Sequence, residues 1–303
     1  MPPIPMKHLL VAEKACHDAL ATPELRRIGE QLSNLTIDAW AELEKVTVHP
    51  ESTAHLKALV NSIGEDSIEI VRWFLLRASL AALPRIPSWR VIPSVKGLWA
   101  DDVLYYARPS GDLSVFSLDN VRFREMARIA TLRRYPAGQF HWEISGLPRS
   151  WVLRTHPSRW PALLSTLCLR TRGFAPMAET HLNDRRRNRL SLTESEGVRS
   201  YYRLARSLEL QPEIKGLVTC SWLYCATTAE ITPRLAWLRR FFLDQGAFVA
   251  SIGPAPPESG FLVGSEERRQ LYEEGRYRPL ATFVLWPRKA ILDWARTVVL
   301  DDE

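Results

Sequence analysis

Cysteine is scarce in these 303 residues, and Cys16, Cys168, Cys220 and Cys225 lack the paired spacing of a zinc module. They predict reduced thiols in a cytoplasmic protein. No run of about 18 uncharged apolar residues occurs, so no membrane span is expected. Residues 1–16 also lack the apolar stretch of a signal peptide. There is no Walker loop, no His-Glu-x-x-His and no Gly-x-Gly-x-x-Gly, which disfavours P-loop, zinc-protease and dinucleotide-binding chemistry. Neither Gly-x-Ser-x-Gly nor a local Cys–His signature surrounds Cys220 and Ser221. No metal-ligand cluster is evident, and no tightly bound cofactor is expected.

What is present is an ordinary globular balance, 46% apolar and 24% charged, with enough chain for one large domain or two modest ones. Charge is uneven along it. Residues 1–83 carry 8 Lys and Arg against 11 Asp and Glu, whereas the remainder carries 32 against 23. An arginine-rich excess of this kind suits phosphates in nucleic acid or coenzyme A, or else is a plain solvated surface.

Apolar residues at three- and four-residue spacing predict helices through residues 6–83, punctuated by Thr22-Pro23 and by His49-Pro50-Glu51-Ser52. Pro84, Pro87 and Pro93 mark a domain edge. Residues 95–118 read as two strands around the turn Pro109-Ser110-Gly111-Asp112, and RFREMARIATLRRY reads as a helix. QFHWEIS is a strand, 157–175 hold a short helix, and 176–193 read as an exposed basic loop. From 194 onward helices and strands alternate, which predicts an α/β layer. The expected organisation is a helical segment over 1–85, an α+β middle over 86–193 and an α/β half over 194–303. Strands are expected near 139–145, 214–223, 247–252 and 280–286.

In SWLYCATTAEITPRLAWLRR (221–240), an apolar strand ends and Thr232-Pro233-Arg234 opens a helix, a pattern that can hold an anion. Together with EERRQLYEEGRY (266–277), this order resembles the second half of the GNAT acyltransferase fold over roughly 110 residues. The resemblance implies a mixed central sheet with the helical segment packed on it, a splayed strand at 214–223 and a phosphate-facing helix after it. Coenzyme A users in that superfamily carry a glycine-containing loop there, whereas CATTAEITPR has no glycine. Relatives such as the Fem-type and leucyl/phenylalanyl transferases take aminoacyl-tRNA. An acyl-thioester or an aminoacyl-tRNA is therefore the implied donor, with a small amine or hydroxylamine as acceptor. The alternative is a non-catalytic RNA-binding or scaffold protein on a degenerate acyltransferase fold.

His141 and Glu143 are two apart in a strand and share a face, so they are an acid/base pair or metal ligands, or else the solvent-facing side opposite Phe140, Trp142 and Ile144. Tyr224, at the strand end, is the candidate general acid. Thr232, Arg234, Ser221 and Tyr272 are the candidate donor-binding residues, Tyr272 being equally suited to a helix core. NDRRRNR offers Arg185, Arg186, Arg187 and Arg189 to phosphates, or to water.

Overall fold

Helix starts are set by local capping: Asp38 accepts from the Trp40 N–H, Asn120 from Arg122, Thr193 from Glu196 and Ser265 from Arg268. The computed structural model describes residues 6–63, 67–109, 113–183, 192–263 and 265–300. The chain divides into two compact units between Ala137 and Gly138. The boundaries expected at 85 and 193 fall inside these units.

The first unit holds helices α1 (Met6–Leu20), α2 (Pro23–Ser33), α3 (Ala39–Glu44), α4 (Ala54–Ile63), α5 (Ser67–Ala82), α6 (Pro93–Ala107) and α7 (Val121–Ala130), then the short strand β1 (Arg134–Pro136). Helix α5 is apolar almost all round, with Ile70, Val71, Phe74, Leu75, Leu76 and Ala78 buried, and it packs against α1, α2, α3, α6 and α7. The hairpin expected over 95–118 is instead α6 and a turn of 3-10 helix at Leu113–Phe116. Val95, Trp99, Val103 and Tyr106 are buried at helical spacing, and Pro93 starts the helix where its missing N–H costs nothing. Residues 110–112 of the expected turn lie outside the described residues.

Cys16 is fully buried in this core, and burial, helped by Glu13, raises its thiol from 9.0 to about 12. The folded state thus holds this proton more tightly than the unfolded chain. The contribution is complete below pH 9 and is lost as pH rises toward 12. At about 1.4 kcal/mol per pH unit the loss approaches 4 kcal/mol as an upper bound. Urea unfolding at pH 7.5 and 10.5 is expected to show a falling midpoint for the first unit, and Cys16→Ala should flatten that fall. An unchanged pH slope in Cys16→Ala would rule the thiol out as its source.

The second unit is built on strands β2 (Phe140–Ser145), β3 (Met177–Leu182), β4 (Gly216–Ser221), β5 (Phe248–Pro254) and β6 (Leu280–Pro287), in the order β2-β3-β4-β6-β5. All four expected strands are present in one sheet. The pairings are antiparallel except β3 with β4, which is parallel. The architecture is therefore mixed α/β. Around the sheet stand α8 (Arg149–Arg154), α9 (Trp160–Ser165), α10 (Glu194–Glu209), α11 (Ala226–Ile231), α12 (Ala236–Asp244), α13 (Glu266–Glu273) and α14 (Arg288–Ala295).

Strand alternation gives the sheet two different faces. One joins Met177, Val218, Phe248, Ala250, Phe283 and Leu285 to Leu147, Leu163 and Leu167. The other carries an aromatic cluster in which Tyr201, Phe241, Phe242, Trp286 and Trp294 meet at 5.1–6.4 Å between ring centres. The basic loop expected over 176–193 is corrected in its first part. Met177–Leu182 is β3, flanked by strands on both sides, and its pairing with β2 and β4 outweighs its polar composition. Residues 184–191 lie outside the described residues.

Candidate functional site

The antiparallel register of β2 and β3 sets His141 opposite His181 and Glu143 opposite Glu179. Directly opposed residues point to the same side, so four titratable side chains share one patch of the sheet. The Nε2 atom of His181 lies 3.4 Å from Glu143 Oε1 and 3.9 Å from Glu179 Oε1. Ser145, two residues beyond Glu143, donates its hydroxyl to Glu179 Oε2 at 2.7 Å. His141 and Glu143 are only 3% and 5% exposed, whereas the His181 and Glu179 side chains are 27% and 25% exposed. The His181 and Glu179 side chains are thus partly open to solvent, although the His181 Nε2 atom itself is shielded.

The reading of His141 and Glu143 as a solvent-facing side is corrected by this burial. Phe140 and Trp142 are buried as expected, but Ile144 is exposed. The alternation in QFHWEIS separates an apolar buried face from a polar buried face. Sequence reading missed Glu179, His181 and Ser145. A signal was available, because His-x-Glu at 141–143 and Glu-x-His at 179–181 are mirror-ordered, as antiparallel pairing of like with like requires.

Beside this patch the parallel ladder between β3 and β4 is short. Each strand has six residues, yet only Ala178 with Leu217 and Glu179 with Val218 are in register. Beyond them the Thr219 hydroxyl donates to the Thr180 carbonyl at 3.0 Å, a side-chain bridge where a regular ladder would use backbone. The ladder thus ends at Glu179, and this side-chain bond still joins the two strands at the next pair of residues. Cys220 shares this face of the sheet; burial, then Glu179, pushes its thiol up to about 12 against the opposing pull of Arg154. It is a neutral wall of the site rather than a nucleophile.

Tyr224 is not brought to this patch. It is buried on the other face of the sheet, its hydroxyl 3.5 Å from those of Thr219 and Tyr201, and burial raises its pKa. The strand stops at Ser221, and the chain turns inward through a 3-10 turn at Trp222–Tyr224. Ser221 spends its hydroxyl accepting from the Leu223 N–H. Tyr272 lies against Phe261 at 5.2 Å with Arg278 over its ring, next to the pairing of Trp222 with Phe261.

The helix start expected at Thr232-Pro233 is present as a 3-10 turn leading into α12, with Thr232 at the N-cap position but without a side-chain capping bond. Residues Ala226–Ile231 before it are already helical. Arg234 is exposed and lines a surface cavity of about 420 Å³ with Thr193, Glu194, Pro233, Trp237 and Arg240. The nearby α10 start carries Glu194 and Glu196 in its first turn, which offset the helix dipole, and Glu194 pairs with Arg240 at 3.2 Å. Arg239 instead donates to the Tyr224 carbonyl at 2.8 Å. Arg185, Arg186, Arg187 and Arg189 lie outside the described residues.

No protein-family model matches the chain, and no curated protein matches it. Among solved structures it is similar to an acyltransferase in complex with decanoyl-CoA, at 14% identity and a TM-score of 0.43. That alignment covers 71% of this chain and 65% of the other, so the chain spans slightly less than two thirds of that protein. It is also similar to an acyltransferase in complex with decanoyl-CoA and teicoplanin, at 13% identity, a TM-score of 0.42 and coverages of 71% and 65%. No helix among the described residues is long and apolar enough to cross a membrane.

Proposed function

We propose that the second unit is an acyltransferase, moving an acyl or aminoacyl group from an acyl-thioester or aminoacyl-tRNA to an amine or hydroxylamine. The observation that supports this reading is the short β3–β4 ladder, which ends at Glu179 beside the His181–Glu143–Glu179 patch. An extended donor lying along the end of that ladder would hydrogen-bond to strand backbone. Its acyl carbonyl then stands close to the patch, and orientation supplies most of the rate.

In this reading His181 is the general base and Glu143 its positioning carboxylate. A neutral imidazole nitrogen can take the proton that an amine must lose on attack. The acceptor nitrogen gives its proton to His181 as the N–C bond forms. The C–S or C–O bond to the donor then breaks, and the leaving sulfur or oxygen takes the proton back. His141, buried behind His181, shapes the patch, and Tyr224 acts in the aromatic core rather than on the acyl group. Arg234, Ser221, Thr232 and Tyr272 are, in this reading, the candidate contacts for a donor's phosphates.

Thermal shift with acetyl-CoA, decanoyl-CoA and bulk tRNA tests the donor. Ligand at about 100-fold over Kd adds roughly 2.7 kcal/mol to the stability of the state that binds it. A rise in Tm with an acyl-CoA or with tRNA is expected, and the ligand that gives it identifies the donor class. No shift with any of the three would remove the acyltransferase reading.

A further inference from the structure

The sequence alone predicts no metal-ligand cluster, because one of the two strands that would build it reads as a loop. With β3 in place, we infer that Glu143, Glu179 and His181 form a binding site for one divalent transition-metal ion of the zinc or manganese type. The inference stands on the geometry of the patch and does not depend on acyl transfer.

One ligand atom from each of the three residues can be chosen so that all lie within 4.8 Å of one another. The imidazole Nε2 is 3.4 Å from one carboxylate oxygen and 3.9 Å from the other. Two donors on one ion at about 2.1 Å stand roughly 3.0–3.4 Å apart for angles between octahedral and tetrahedral. Small side-chain rotations therefore bring the three onto a common centre. The first distance already matches.

Two further observations point the same way. The His181 Nε2 atom is shielded from solvent, makes no hydrogen bond and is aimed between the two carboxylates. Ser145 holds Glu179 Oε2 at 2.7 Å, which leaves Oε1 turned toward the imidazole. A hydroxyl that fixes one oxygen of a ligating carboxylate is the outer-shell support that metal sites use. All three ligands sit on directly paired strands, which hold a site more closely than loops do.

The donor set selects the ion. One imidazole nitrogen with two carboxylates suits Zn²⁺ or Mn²⁺, whereas Mg²⁺ and Ca²⁺ prefer oxygen alone and Cu(I) prefers sulfur. Three protein ligands leave a coordination position for water or a small ligand on the side where His181 and Glu179 are exposed.

The experiment uses the full chain, stripped with EDTA and assayed without any acyl donor. ZnCl₂, MnCl₂ and MgCl₂ are titrated by calorimetry, and Tm is followed against each. One Zn²⁺ or Mn²⁺ per chain is expected, with a Tm that rises with metal and no comparable response to Mg²⁺. Glu179→Gln and His181→Ala should abolish that binding, and Ser145→Ala should weaken it about 10–100-fold. His156→Ala, an exposed histidine on another segment, should leave it unchanged. Circular dichroism checks each fold, and if a ligand variant unfolds, Ser145→Ala carries the test. Absence of Zn²⁺ and Mn²⁺ binding, or equal affinity in wild type and the folded patch variants, would overturn the site. Because no donor is present, that failure leaves acyl transfer standing, and a donor that fails to bind leaves the metal site standing.

Discussion

His181→Ala is expected to lower kcat for acyl transfer by about 10²–10⁴-fold with little change in KM, the usual effect of removing a positioned general base. The assay is run in EDTA, so that no cation contributes to the difference. His181 is about a quarter exposed and keeps no buried partner satisfied by a hydrogen bond of its own, so the variant should fold. Glu143→Gln keeps the shape of the side chain but removes the charge 3.4 Å from the imidazole, and a smaller loss in kcat is expected. Tyr224→Phe is the contrasting case. Its hydroxyl lies on the far face of the sheet at 3.5 Å from two others, so the change should cost some stability and leave kcat near wild type. A fall of less than tenfold in His181→Ala, or a larger fall in Tyr224→Phe, would move the chemistry away from this patch.

The second large effect is on folding. Trp286 is fully buried between Tyr201, Phe241, Phe242 and Trp294, and its indole N–H donates to the Gln245 carbonyl at 2.9 Å. Truncation removes one of the largest side chains of the core, which costs about 3–5 kcal/mol in comparable sites. The Gln245 carbonyl also loses its donor, adding about 1 kcal/mol or more. Trp286→Ala should therefore destabilise the second unit by about 4–6 kcal/mol, close to the whole stability of many domains. Denaturant unfolding followed by far-UV circular dichroism measures it. A loss below about 2 kcal/mol would show that the aromatic cluster closes over the gap.

Much of this could be read from residues in order. The strand runs around 140, 216, 248 and 280 carry β-branched and aromatic residues bounded by turn residues, and all four strands formed. Helical spacing in 6–83 was equally plain. Where the reading failed, a local signal competed with a stronger one from packing. The run at 95–107 contains Val, Leu and Tyr, which favour strands in isolation, but its buried positions repeat every three to four residues. Thr232-Pro233 does open a helical turn, but a separate short helix at Ala226–Ile231, which the sequence reading took for a loop, precedes it.

The site divides along the same line. His141 and Glu143 were legible as a same-face pair, because side-chain alternation is a property of any strand. Their burial was not, since it depends on what covers both sides of β2. Glu179 and His181 were out of reach for a different reason: MAETHL has no apolar alternation, and it becomes a strand by pairing on both edges. The amino-acid order by itself determined the strand and helix periods, the capping residues and the uneven charge, all of which act over a few neighbouring residues. Only the tertiary structure decided that a histidine and a glutamate some 40 positions downstream would stand opposite His141 and Glu143, and that the β3–β4 ladder would end beside them. Register between distant strands is a matter of which faces find burial together, and no local propensity encodes it.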